Sequence, residues 1–258
     1  MSLGSGAVQT TFDVGGHSLY LECAGKGHPT VVMDAGLGNT HETRDSVAPA
    51  ARKLTRICTY DRASLGKSGP ASRPRTSVDV VPDLHRLLGV AGVRPPYILV
   101  SHPLGGLDVR LFAAQHPTEV AGVLLVDPTP TGFLEGECRV VSASVCEELR
   151  DGRDPAKTPE GLDYAASSAQ VDAAAPLPSV PVIVLVATNH QQDAITDEGT
   201  ENRIEALWQG LQRQFAAETR ARPVVVPSGH DIQLLKPDAV TSALRSLLGR
   251  VTAKEQMP

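Results

Sequence analysis

The chain has 258 residues, of which 41% are hydrophobic and 21% are charged. This length and composition are typical of one folded α/β domain and exclude a disordered, collagen-like or coiled-coil protein. The 24 Lys and Arg against 29 Asp and Glu give a net charge of −5 without a basic stretch, so we expect no nucleic-acid partner.

Residues 1–14 contain no basic start followed by an apolar run, so we expect neither a signal peptide nor a transit peptide. No apolar stretch approaches the roughly 18 residues that a membrane-spanning helix needs, so we expect no membrane association. The four cysteines lie far apart without a CxxC pair. We therefore expect reduced thiols in a cytoplasmic protein, with neither a disulfide scaffold nor a metal site.

Short apolar runs alternate with helix-like stretches, a pattern that predicts a mostly parallel sheet with helices on both faces. The consecutive glycines 15 and 16 predict a hairpin between the first two strands, because tight turns require positive φ. The predicted strands are 11–13, 18–23, 30–34, 55–60, 97–101, 120–126, 181–187 and 222–226. The predicted helices include 77–89, 104–115, 204–217 and 237–248.

Segment 128–178 interrupts this alternation. It is rich in Pro, Ser, Ala and acidic residues and shows weak periodicity between two well-defined strands. We interpret it as a cap or lid inserted within a single domain that spans residues 1–258. An ordinary long surface connection is the alternative.

The most informative stretch is YILVSHPLGG at 97–106, a hydrophobic strand that turns sharply into a helix. Several further short motifs stand at or near the ends of predicted strands. These are MDAGLGN at 33–39, YDR at 60–62, GKS at 66–68, VDP at 126–128 and SGH at 228–230.

In this order, and over nearly the whole chain, these motifs resemble the α/β-hydrolase superfamily. The resemblance implies the α/β-hydrolase fold, with the reactive groups at the carboxyl ends of the strands. The family pattern at the strand-to-helix turn is G-x-S-x-G, whose Ser is the nucleophile. Here the corresponding residues are SHPLG at 101–105, which puts Pro103 at the nucleophile position.

Pro103 has no hydroxyl, so the acyl-enzyme chemistry of serine esterases cannot occur at this residue. Its ring also fixes φ at about −65°, whereas the family's turn holds the nucleophile at positive φ, so we expect a rebuilt turn. Ser101 lies two residues earlier on the same side of the strand and is a weaker candidate for a displaced nucleophile. We expect His102 to be a packing residue.

The resemblance also implies that two side chains of a catalytic site are retained. His230 follows the last strand, where this fold places its general base. Asp127 follows the strand 120–126 and would orient the His230 ring, since a carboxylate at Nδ1 fixes the tautomer. The family's alternative acid would fall near residues 188–190, which contain no carboxylate. Capping of a turn or helix is the alternative role of Asp127.

The resemblance also implies an oxyanion hole made by the N–H groups of Leu37 and Leu104. Together with these two residues, Gly38 and Pro103 are expected to contact the substrate. A plain turn-forming role is the alternative for the glycines at 36 and 38.

Two further patterns resemble a phosphate-binding loop and a metal site, but neither has the spacing that such a site requires. The GKS at 66–68 resembles the end of a phosphate-binding loop, but the required glycine at position 61 is replaced by Asp61. The histidines at 17, 28 and 41 lack metal-ligand spacing on one element, so we expect surface or loop positions for them.

A base, an orienting carboxylate and amide donors without a nucleophile suit proton abstraction beside a carbonyl, because the enolate oxygen needs the same donors. The sequence is similar to the atypical α/β-hydrolase-fold peptide epimerases of ribosomally made natural products. That resemblance implies conversion of an L-aspartyl residue to its D form in a macrocyclic peptide, without a cofactor, in a cytoplasmic pathway. The peptide would lie under segment 128–178, and either His230 or a carboxylate of the substrate would take the proton.

Three other interpretations stay open. His230 could activate water directly in a hydrolase. The chain could bind a peptide or small molecule without changing it. Pro103 could be an engineered replacement in an ordinary esterase, although the equally unusual Ser101 argues against a single change.

Overall fold

The computed structural model describes residues 7–190, 197–219, 221 and 223–255. Their strands form one sheet of eight strands. These strands are β1 (Val8–Asp13), β2 (Ser18–Ala24), β3 (Thr30–Asp34), β4 (Ile57–Tyr60), β5 (Tyr97–Ser101), β6 (Val120–Val126), β7 (Val182–Asn189) and β8 (Pro223–Gly229).

The strand order is β1-β2-β4-β3-β5-β6-β7-β8. β2 runs antiparallel to both β1 and β4, and each pairing from β4 through β3 and β5 to β8 is parallel. Gly15 and Gly16, at φ of 95° and 104°, form the predicted hairpin between β1 and β2. The prediction of a mostly parallel sheet is confirmed.

Helices cover both faces of the sheet. Side chains alternate between the faces, so that Val31 and Met33 pack with Leu244 of the C-terminal helix, whereas Val32 packs on the opposite side with Leu107. The described helices are α1 (Ala48–Ala51), α2 (Ser77–Val90), α3 (Gly105–Gln115), α4 (Phe133–Val140), α5 (Ala143–Gly152), α6 (Tyr164–Ala173), α7 (Glu198–Glu218), α8 (Ile232–Leu235) and α9 (Pro237–Glu255). Among the described residues, no helix combines the length and apolarity that crossing a membrane requires.

The fully buried central strands were predicted most accurately. β3, β5 and β6 begin and end at the predicted residues. The position from which we predicted β8 to start, Arg222, lies outside the described residues. α7 begins earlier than predicted because Asp197 caps it, with its Oδ1 accepting a hydrogen bond of 3.0 Å from the N–H of Thr200.

Segment 128–178 connects β6 to β7 and contains α4, α5 and α6. α4 packs against α7, while α6 packs against α2 and α3. The segment therefore lies over helices on one face of the sheet.

The cysteines contradict the expectation of reduced thiols. Cys23 and Cys58 form a disulfide between β2 and β4, and Cys138 and Cys146 form a second between α4 and α5. The antiparallel register places Cys23 directly opposite Cys58, although 35 residues separate them in the sequence. Sequence spacing could not reveal this pairing, because it depends on which strands become neighbours.

Candidate active site

Three polar side chains meet where neighbouring parallel strands end. Asp127 follows β6, His190 follows β7 and His230 follows β8, so the sheet order brings them to one edge. Ligands of open α/β sheets bind at this edge. The structure therefore brings together the two residues predicted as catalytic and adds a second histidine.

Asp127 and His230 form the predicted dyad. The Nδ1 of His230 donates a hydrogen bond of 2.6 Å to Oδ2 of Asp127. Asp127 is fully buried, whereas the His230 side chain is 22% exposed. With its Nδ1–H held by the carboxylate, a neutral imidazole carries its lone pair on Nε2, so Nε2 is the basic atom.

His190 is the part of the site that sequence reasoning missed. Its Nε2 donates a hydrogen bond of 2.5 Å to Oδ2 of Asp127, and its Nδ1 donates one of 2.8 Å to Oε2 of Glu205. Burial alone would lower the pKa of His190, but the hydrogen bonds to Asp127 and Glu205 raise it to about 9. His190 is therefore a cation held between two carboxylates at neutral pH.

The sequence contained a signal for this arrangement. Residues 188–190 stand where the family can place its acid, and the structure shows a histidine there that pairs with the acid at the other position. The pKa of Asp127 reflects the pairing: burial would raise it, but hydrogen bonds from His190 and His230 lower it to about 2.

The second oxygen of Asp127 is held as well. Oδ1 accepts from the N–H of Ala187 at 3.1 Å and from Nε1 of Trp208 at 3.2 Å. Asp127 itself has φ of 42°, a left-handed backbone that Asp tolerates better than most residues. Four donors thus fix this carboxylate, which is more than a simple capping role would require.

His102 supports the loop that carries His230. The ring is almost fully buried, and its Nε2 donates to the backbone carbonyl of His230 over 3.1 Å. Burial lowers the pKa of His102 well below its ordinary value. The neutral ring packs as expected and also ties the turn after β5 to the turn after β8.

The turn that holds Pro103 differs from a strained nucleophile turn. Among the described residues, the only non-glycine positions with positive φ are Ser64 and Asp127, so Pro103 does not have it. The Pro103 carbonyl accepts hydrogen bonds from Gly106 at 3.1 Å and Thr129 at 2.9 Å. Residue 103 thus lacks the positive φ of a nucleophile turn, as the proline ring requires.

Ser101 is not placed to act as a nucleophile beside His230. Its side chain is fully buried, and its Oγ has no hydrogen-bond partner among the described residues. The Oγ lies 3.7 Å from the position that a Cβ on Gly106 would occupy. It therefore faces the start of α3, without a hydrogen bond to the base His230.

Residues 35–38 form a loop beside Pro103. A Cβ on Gly36 would lie 2.7 Å from Cδ of Pro103, so only glycine permits this approach. In the described part of the chain, the N–H groups of Leu37 and Leu104 donate to no protein acceptor, whereas Gly38 donates to Glu160 over 2.9 Å. The two predicted oxyanion donors are thus available, whereas the N–H of Gly38 is engaged with Glu160.

Asp127, His190 and His230 are also a set of residues that could hold a metal, since their ligand atoms lie within 4.8 Å of one another. The N···O distances of 2.5 and 2.6 Å are nevertheless those of hydrogen bonds. Two ligands of one zinc ion at about 2.1 Å each would lie roughly 3 Å or more apart. The geometry therefore favours hydrogen bonds between these side chains over coordination of a metal ion.

The remaining histidine and GKS patterns have structural partners. Asp61 accepts hydrogen bonds from the N–H groups of His41 at 2.6 Å and Lys67 at 2.9 Å. The second of these bonds stabilises the turn that contains residues 66–68. His41 is buried, contrary to expectation, because its ring also pairs with Asp61. His17 pairs with Asp83 over 2.8 Å.

A cavity of about 860 Å³ lies elsewhere, between Arg110, Phe215 and the residues around Val182. Val182 begins β7, so this cavity is at the amino end of a strand whose carboxyl end leads to His190. It is therefore separate from the site around Asp127.

No family model matches the chain. The uncharacterized protein YqjL of Bacillus subtilis is 38% identical over 38% of this chain and 39% of its own length. An AB hydrolase superfamily protein of Gibberella zeae is 34% identical over 38% of this chain and 32% of its own length. A proline iminopeptidase of Clostridium botulinum is 28% identical over 58% of this chain and 51% of its own length. The first of these alignments spans less than half of the relative.

Solved structures match over a larger part of the chain. An enol-lactonase from Burkholderia xenovorans is 19% identical, with a TM-score of 0.66 over 93% of this chain and 100% of its own. A haloalkane dehalogenase from Bradyrhizobium elkani is 15% identical, with a TM-score of 0.69 over 96% of this chain and 100% of its own. At these identities the likeness concerns the fold, and together with the strand order it shows that this chain has the α/β-hydrolase fold.

Proposed function

We propose that this protein is a cofactor-independent peptide epimerase that removes and returns a proton at a Cα atom. The observation that carries the proposal is the 2.6 Å dyad of Asp127 and His230 beside a turn in which Pro103 stands at the nucleophile position. The site would thus contain a general base, His230, but no side chain at position 103 that could act as a nucleophile in covalent catalysis. Carbon-acid chemistry requires a base and does not require acyl transfer.

In the proposed reaction, Nε2 of His230 accepts the Cα proton and the electron pair moves onto the neighbouring carbonyl oxygen. The N–H groups of Leu37 and Leu104 stabilise the resulting enolate, because both are free to donate. A water molecule then protonates the opposite face of the planar carbon, which gives the inverted product. The hydroxide that remains takes the proton from His230, so the base is regenerated and no atom is gained or lost. A peptide Cα–H is a weak acid, so a carboxylate of the substrate would assist His230.

The proposed substrate is an aspartyl residue in a macrocyclic peptide, converted from its L to its D form. This part rests on the sequence resemblance to peptide epimerases, of which the bottromycin-pathway enzyme is the member we favour. Segment 128–178 is the proposed cap over the peptide. A cytoplasmic biosynthetic setting completes the proposal, although the two disulfides favour an oxidising compartment.

The deciding experiment is mass spectrometry of cyclic aspartyl peptides incubated with the protein in D₂O, with a simple ester as the control substrate. Incorporation of one deuterium at a Cα atom without cleavage supports the epimerase. Ester cleavage without deuterium uptake would instead assign the protein to the hydrolases. Binding of a peptide with neither reaction would leave a carrier.

A hydrolase is the second candidate, because relatives and structural neighbours bear names such as proline iminopeptidase and enol-lactonase. In this case His230 would activate water, which would attack the substrate carbonyl directly. Hydrolysis in H₂¹⁸O would place one ¹⁸O atom in the released acid and none in the intact ester. The His230→Ala variant should lose this hydrolysis.

A further inference from the structure

We infer that Glu160, in segment 128–178, is a positioning residue for the amide donors of the loop 35–38. The inference rests on the proposed function, since the donors matter for catalysis only if an oxyanion forms. It assigns to this segment a part in building the site beyond covering it.

Glu160 makes two kinds of contact. Its carboxylate accepts two hydrogen bonds from Arg62, of 2.6 Å from Nε and 2.7 Å from Nη2. Its Oε1 also accepts a hydrogen bond of 2.9 Å from the N–H of Gly38. The side chains of Glu160 and Arg62 are each only 3% exposed, so water does not compete for these contacts.

Arg62 holds the other side of the same loop. Its Nη1 donates to the carbonyl of Ala35 over 2.7 Å, and its Nη2 donates to the carbonyl of Gly36 over 2.6 Å. The bidentate pair with Glu160 fixes the plane of the guanidinium, and with it the positions of both carbonyls. The loop is therefore held by two carbonyls on Arg62 and by one N–H on Glu160.

This arrangement sets the direction of the Leu37 N–H. The carbonyl of Gly36 and the N–H of Leu37 belong to one planar trans peptide group, in which they point in opposite directions. Because the Gly36 carbonyl points at Arg62, the Leu37 N–H points away from the buried ion pair. The Leu37 donor is thereby kept free for an oxyanion.

Glu160 is itself fixed from both sides. A Cβ on Gly38 would lie 3.1 Å from Cγ of Pro159, so the neighbouring residue packs directly on the loop. On the other side, the N–H of Arg75 donates to the carbonyl of Gly161 over 2.8 Å. Both contacts hold residues 159–161 against their neighbours and so keep Glu160 beside the loop 35–38.

The test compares Glu160→Gln and Glu160→Ala with the wild type. Gln keeps an acceptor for Gly38 but removes one of the two carboxylates that pair with Arg62, since Asp34 still accepts from Nη1 over a distance of 2.7 Å. Ala removes every contact of the Glu160 side chain. The matched control is Glu147→Gln, because Glu147 is an exposed carboxylate of α5 in the same segment. All proteins are first compared by circular dichroism, and Glu160→Gln carries the test if Glu160→Ala does not fold.

Two measurements are made on each protein. Hydrogen exchange followed by mass spectrometry should show faster exchange of the Gly38 amide in Glu160→Ala, with Glu160→Gln between it and the wild type. On a cyclic aspartyl peptide in D₂O, kcat for deuterium uptake should fall at least about tenfold while KM changes less than about twofold. The Glu147→Gln control should match the wild type in both.

The two measurements separate the two proposals. Unchanged Gly38 exchange in both Glu160 variants overturns the positioning role, whatever the catalytic result. Faster exchange with unchanged kcat also overturns it, because the loop would then be irrelevant to the reaction. If the wild type takes up no deuterium, the proposed function fails, and faster Gly38 exchange alone then supports control of the loop by Glu160.

Discussion

Asp127 and His190 are joined by a hydrogen bond of 2.5 Å between Oδ2 and Nε2, and the same oxygen also accepts from His230. The carboxylate of Asp127 therefore holds both the proposed base, His230, and a second, cationic histidine. Glu205 holds the far side of His190, so the three residues Glu205, His190 and Asp127 together have a net charge of −1. His230 therefore still lies beside a net charge of −1, but this charge is shared by three side chains instead of residing on Asp127 alone.

This pairing predicts a pH dependence of stability. The pKa of His190 is raised from 6.5 to about 9, so its contribution is complete below pH 6.5 and is lost as the pH rises through about 9. The pKa of Asp127 is lowered from 3.8 to about 2, so its contribution is present above pH 3.8 and is lost as the pH falls through about 2. The pair therefore stabilises the fold most between pH 3.8 and 6.5.

Thermal unfolding of the wild type and of His190→Gln checks this prediction. Between pH 6.5 and 9 the Tm of the wild type should fall more than that of the variant, because only the wild type loses the imidazolium. Parallel curves over this range would contradict the assignment of His190 as a cation.

Removing the base should remove the reaction. We expect His230→Ala to lower the rate of deuterium uptake into the peptide at least about tenfold, because Nε2 of His230 is the basic atom of the dyad. His28→Ala is the matched control, since His28 is exposed. Undiminished uptake in His230→Ala would move the base to the carboxylate of the substrate.

The fold was largely predictable because its central strands are buried on both faces. β5 is apolar up to its last residue, Ser101, and β6 is apolar throughout, and such runs have few alternatives to a parallel sheet covered by helices. The ends of α7 were less predictable, because its start depends on the side-chain cap at Asp197.

The candidate site was predictable only where a local motif marked a residue. Asp127 and His230 directly follow strands, and motif order identified both. The motifs did not identify the roles of His190 and Glu160, because each role depends on a partner that is distant in the sequence. Asp127 is 63 positions from His190, and Arg62 is 98 positions from Glu160. The partner of each cysteine was hidden for the same reason.

The two disulfides predict how many free thiols the protein contains and which disulfide contributes more to its stability. The denatured, unreduced protein should contain no titratable thiol, because all four cysteines are paired. The stabilisation of the folded state by a disulfide increases with the length of the loop that it closes. We expect about 4 kcal/mol from Cys23–Cys58, with a separation of 35 residues, and about 2.5 kcal/mol from Cys138–Cys146, with a separation of 8. Cys23→Ser/Cys58→Ser should therefore lower the unfolding free energy more than Cys138→Ser/Cys146→Ser. Four reactive thiols in freshly purified protein would contradict both disulfides.

Pro103→Ser tests whether the site is a hydrolase blocked by one side chain. We expect less than about a tenfold gain in ester hydrolysis, because position 103 lacks the positive φ of a nucleophile turn and residue 101 is Ser rather than Gly. Ser101→Gly/Pro103→Ser should gain more, since glycine gives the turn the freedom to reform.

Adding His230→Ala to the double variant should abolish that gain, which shows that the new serine uses the dyad. High activity from Pro103→Ser alone would mean that the oxyanion donors and the dyad already have hydrolase geometry. The retained base would then be the remnant of an esterase, and the case for proton abstraction would have to rest on deuterium uptake alone.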